Sequence, residues 1–135
     1  MQPFGRTYNC PVEFLCILVF LHLVQLLLTV LFDLMMTFEQ FTQSLSLDTL
    51  PAELPVLLQA LWYDGKGDWE AAHNIAQSRE GTRGYDRLHA YLHRVEGDEW
   101  NAGYWYRRAG AKVFRGSLKE EWTELVHELL AGKEL

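Results

Sequence analysis

Between His89 and Gly110 the chain reads HAYLHRVEGDEWNAGYWYRRAG, and the Gly-Asp pair at its centre limits what this stretch can fold into. Upstream of the pair, Tyr85, Leu88, Leu92 and Val95 recur at helical spacing and stop at Gly97. Glycine takes the left-handed conformation that ends a helix, and Asp98 can cap a second helix that runs to Ala109 and is closed by Gly110. The stretch is therefore predicted to be a helical hairpin. A hairpin needs only one apolar stripe per helix, yet this one also carries two histidines, two tryptophans, three tyrosines and several arginines and acids. That excess points to a surface that contacts something else.

The same grammar runs through the preceding and following residues. Thr37 and Gln40 have capping-box spacing ahead of a short helix to Ser44, and Pro55 suits the first turn of a helix to Tyr63. An Asp64-Gly65-Lys66-Gly67 turn follows. Asp68 then caps a helix to Arg79 with Trp69, Ala72 and Ala76 along one side, and Gly81 and Gly84 bracket the next turn. Ser117 and Glu120 form a second capping box before Trp122, Leu125, Val126, Leu129 and Leu130, which share one helical face. No stretch sustains the alternation that a strand needs. The expected fold class is all-α, with helix-turn-helix repeats, a C-terminal capping helix and an N-terminal apolar helix.

Composition divides the chain near Met36. Residues 1–35 hold only Arg6, Glu13 and Asp33 as charges, whereas residues 36–135 hold all five tryptophans and read as an ordinary helical domain. From Phe14 to Phe32 the sequence is uncharged, and as a helix it would span about 28 Å, close to the hydrocarbon core of a bilayer. Three readings stand for it: a single membrane anchor, an apolar helix buried in an assembly, or sequence upstream of a start near Met36. A start near Met36 implies a cytoplasmic protein. The full chain implies a single-pass membrane protein whose C-terminal domain the scant positive charge weakly places outside the cytoplasm. Cys10 and Cys16 both fall in the first part, so the domain has neither a disulfide framework nor a thiol nucleophile. The net charge of −6 and the lack of any basic run argue against nucleic acid as a partner, and contact with a membrane is expected only through residues 14–32.

Shifted by 30 residues against itself, the chain aligns Ala60 with Ala90, Gly67 with Gly97, Asp68 with Asp98 and Ala72 with Ala102. With Tyr106 and Ala109, the second copy resembles the latter half of a tetratricopeptide repeat, whose small alanines let paired helices approach closely. The period is shorter than the usual value of about 34, and Glu99 stands where that family has an aromatic residue. The resemblance implies stacked helix pairs from Val56 to Gly110. Separately, DWEAAHNIAQ and HAYLHRVEGDEWNAGYWYRRAG resemble a family of short bacterial proteins about the length of residues 36–135 with no assigned activity. That likeness implies a helical fold and carries over no reaction.

Two candidate sites follow from helical geometry. On the helix after Asp98, Ala102, Trp105, Tyr106 and Ala109 share the face expected to be core, while Asn101, Tyr104 and Arg108, flanked by Trp100 and Arg107, share the other. Together with Arg94, the residues Asn101, Tyr104, Arg107 and Arg108 suit a protein partner or a small acidic ligand, because arginine supplies paired donors and tyrosine a flat amphipathic contact. The alternative is a metal-dependent or acid–base enzyme built on His73, His89, His93 and Glu96, since histidines four residues apart project from one helix face. The intervening glutamate of the H-E-x-x-H pattern is missing and no nucleophile is visible, so the favoured reading has each histidine packed by its ring and hydrogen-bonded to a neighbour such as Glu96 or Asp86. No cofactor motif is present. The expectation is a helical-repeat binding module rather than an enzyme.

Overall fold

The computed structural model describes residues 17–27 and 36–135. The chain divides into two units, Met1–Met35 and Met36–Leu135. In the first, residues 17–27 form a helix, and the rest of the expected Phe14–Phe32 span lies outside the described residues. Among the described residues, no helix is long and apolar enough to cross a membrane.

The second unit is built of helices: α1 (Phe38–Ser44), α2 (Val56–Gly65), α3 (Trp69–Gln77), α4 (Arg83–Glu96), α5 (Glu99–Arg108) and α6 (Leu118–Leu130). No strand occurs among the described residues. The starts follow the capping residues. Thr37 with Gln40, and Ser117 with Glu120, each complete both halves of a capping box. The carboxylates of Asp68 and Asp98 each accept a backbone N–H three residues on, from Ala71 and Asn101, both at 3.0 Å. At the stops before these caps, Gly67 (φ 82°) and Gly97 (φ 86°) take the left-handed conformation that only glycine adopts without cost.

The two turns match bond for bond. Gly67 N–H donates to Asp64 O and Gly97 N–H to Arg94 O, while Asp68 N–H donates to Tyr63 O and Asp98 N–H to His93 O. Ala60 and Ala72 in the first hairpin, and Ala90 and Ala102 in the second, are all buried. Small side chains at these positions let α2 lie against α3 and α4 against α5, with α3 also against α4.

α6 does not cap the second hairpin as expected. It returns to pack on α2 and α4, with α1 also against it. Its stripe explains why: Leu125 and Val126 join Phe41, Leu58, Leu61, Leu88 and Leu92 in the main core, and Trp122 Nε1 donates to Leu61 O at 3.1 Å. α5 packs as a helix against α4 alone, so its outer face stays open. α4 in turn is touched by α2, α3, α5 and α6, and every residue from Tyr85 to His93 is buried. A helix with one apolar stripe was expected; the central helix instead buries its polar residues too, and each then needs a partner inside.

The tight α4–α5 contact gives a direct check. Ala102→Leu should destabilise by about 1–3 kcal/mol through overpacking, read as a lower urea midpoint with unchanged slope, and an unchanged midpoint would contradict the assigned face.

Candidate functional site

Arg94, expected on a binding surface, is a structural residue. Its guanidinium donates to the Glu121 carboxylate and, through a second nitrogen, to Gly116 O at 2.9 Å. Glu121 on α6 is 0% exposed, and Arg87 NH1 lies 2.7 Å from its Oε1. The Tyr106 hydroxyl donates to the same oxygen. Burial, then the hydrogen bond to Glu121 and its charge, push the Tyr106 phenol up to about 12, so it stays a donor. Two cations therefore meet one buried carboxylate, with the Arg87 guanidinium also 4.9 Å from the Tyr106 ring centre.

Two further members of the expected set are also held by the fold. Asn101 donates from Nδ2 to Asp98 Oδ2 at 2.9 Å, and the Asn101 backbone N–H holds the Asp98 carboxyl below the usual carboxylate range. Arg108 places Nε 3.3 Å from Oδ2 of the buried Asp86 and NH1 3.4 Å from the Tyr104 hydroxyl, with its guanidinium 4.8 Å from the Trp105 ring centre. Asp86 also accepts the Gly81 N–H at 2.8 Å, so Arg108 ties α5 to the start of α4. What remains outward on α5 is Trp100 at 78% exposure, Tyr104 at 38% and exposed Arg107, which has no ion pair among the described residues. Ala102, Trp105, Tyr106 and Ala109 are buried.

The structure brings the three histidines together. His73 on α3 and His89 on α4 face each other with their Nε2 atoms 2.8 Å apart. The His89 and His93 rings stack at 4.8 Å, and His93 Nδ1 lies 3.2 Å from Oε2 of the exposed Glu96. Tryptophans hold the rings in place: Trp69 stacks on His73 at 4.5 Å and donates from Nε1 to Leu92 O, and Trp105 stacks on His89 at 3.8 Å. His89 is lowered to about 3 by burial first, then by His73, His93 and Arg108, and His73 is lowered by burial and by His93. For His73 and His89 this favours the neutral imidazole over the imidazolium. Asp86 pairs with Arg108 and not with a histidine, while Glu96 lies near His93 Nδ1 without hydrogen-bonding it.

The sequence reading missed Glu121, Arg87 and the pair in which Tyr91 donates to Asp64 at 2.8 Å. A signal for Glu121 existed. It lies one turn before Leu125, in line with the apolar stripe rather than beside it. Comparison with known proteins adds nothing to this geometry: no family model matches the chain, and neither does any curated protein or solved structure.

Holding His89 neutral gives a pH dependence of known sign. Unfolded His89 gains its proton near pH 6.5 and the folded side chain only near about 3. Its contribution to stability is thus fully present above about pH 6.5 and is lost progressively as pH falls toward 3. The urea midpoint of the wild-type chain should fall more steeply between pH 6.5 and 4 than that of His89→Gln; parallel curves would rule the assignment out.

Proposed function

We propose that the Met36–Leu135 unit is a small tetratricopeptide-like interaction module that binds an acidic segment of a partner protein on the outer face of α5. Trp100, Tyr104 and Arg107 make the contact. The observation that carries this reading is Trp100, 78% exposed beside the 38% exposed Tyr104 on a helix whose Trp105 and Tyr106 are buried. An indole left in water beside a tyrosine and an unpaired guanidinium has the composition of an interface centre, where tryptophan, tyrosine and arginine supply most of the binding energy. Tetratricopeptide-like stacking is supported by the two hairpins with equivalent Gly-Asp turns and buried alanines at matching positions. Arg94, which ties α4 to Glu121 and Gly116, Asn101, which caps back onto Asp98, and Arg108, which fixes α5 on Asp86 of α4, are engaged within the fold and do not belong to that surface.

A photo-crosslinking amino acid placed at position 104 in the full chain, expressed in its native host, should give a discrete adduct. That adduct should be lost in Trp100→Ala and in Arg107→Glu chains with unchanged circular dichroism. An absent adduct, or one indifferent to both substitutions, would overturn the reading.

A further inference from the structure

Three imidazoles converging from two helices is an arrangement that packing alone does not require, and its dimensions are those of a metal site. One ring nitrogen from each of His73, His89 and His93 lies within 4.8 Å of the other two, and the closest pair is 2.8 Å apart. A tetrahedral ion with nitrogen ligands at 2.0–2.1 Å sets those nitrogens about 3.3 Å apart, inside the range the side chains already span. Closing the set requires the stacked His89 and His93 rings, 14° from parallel, to turn so that both lone pairs aim at one point. We infer that His73, His89 and His93 together bind one divalent late transition-metal ion of the zinc class, independently of the outer face of α5.

The surroundings fit that chemistry. The Glu96 carboxylate lies 3.2 Å from His93 Nδ1 without hydrogen-bond geometry, and a reorientation of this exposed side chain would supply the carboxylate–histidine support common around bound metals. His89 Nδ1 is buried with no hydrogen-bond partner, so neither tautomer of that ring gains a bond at Nδ1. Ligation through Nε2 replaces the contact with His73 and moves the ring proton to the unpartnered Nδ1, a cost that the metal–nitrogen bond has to offset. Stacking on Trp69 and Trp105 limits the orientations open to His73 and His89. His73 is only half-buried, which gives an ion a way in and leaves a coordination position toward solvent. Three imidazole nitrogens suit zinc, copper, nickel or cobalt and are poorly matched to magnesium or calcium, which prefer oxygen.

The test is titration of the untagged full chain with zinc against a chromogenic chelator, together with cobalt absorption spectra. Binding of one equivalent is expected, with visible cobalt bands of tetrahedral intensity and a Tm that rises with zinc. His73→Gln and His93→Gln should each weaken binding at least tenfold and abolish the cobalt bands. Glu96→Gln, at an exposed position that folding tolerates, should weaken it about tenfold through the lost support of His93. A Cys10→Ser, Cys16→Ser, His22→Gln chain should bind as the wild type does. No stoichiometric binding, binding that disappears in that triple variant, or binding unaffected by His73→Gln and Glu96→Gln would each overturn the assignment.

Discussion

The Glu121 carboxylate is the point on which the helices of the second unit depend. It lies fully buried and receives Arg87 and Arg94 from α4 and the Tyr106 hydroxyl from α5. Two guanidinium groups cannot be enclosed by apolar side chains without a counter-charge, because an unpaired buried ion costs several kcal/mol. α4 carries both of them as the central helix, so α6 has to deliver an acid where they emerge. Such a pair adds little net stability over a well-packed apolar substitute, but it fixes one register of α6 against α4 and penalises every other.

The rest of the arrangement follows from that docking. With α6 seated on α4 and α2, α5 packs along α4, reaches α6 through Tyr106, and keeps an open outer face. α4 presents two polar stripes. Arg87, Tyr91 and Arg94 meet Glu121 and Asp64, whereas Asp86, His89 and His93 meet Arg108, His73 and the ring of Trp105. One stripe is occupied by a closed ionic network. The other gathers three imidazoles beside the half-buried His73, which is the feature the proposed metal site rests on.

Local structure was legible in the sequence because its causes are local. Thr37, Asp68, Asp98 and Ser117 cap the helices they were expected to cap, and Gly97 ends α4 with a positive φ. The buried face of α5 was likewise readable from the spacing of Ala102, Trp105, Tyr106 and Ala109. The partners of Arg94 and Arg108 were not, since they come from α6 and from the α3–α4 turn, and nothing in a helical period says which helix will cover a given flank. α4 reads as an amphipathic helix with a polar side only while its neighbours are unknown. Once four helices surround it, the same polar residues become core, and Arg94 moves from candidate ligand contact to counter-ion of Glu121. Exposed Trp100 was noted beside the proposed surface, but its exposure depends on α6 packing elsewhere.

Urea unfolding of Glu121→Ala and Glu120→Ala chains tests the central claim most directly, because the two acids are neighbours in one helical turn with opposite surroundings. Glu121→Ala should cost about 3–5 kcal/mol, as expected when two buried guanidinium groups lose their carboxylate. Glu120→Ala removes only half of an exposed capping box and should cost about 1 kcal/mol or less. A Glu121→Ala cost no larger than that of Glu120→Ala would show that α6 is not held to α4 and α5 through this carboxylate.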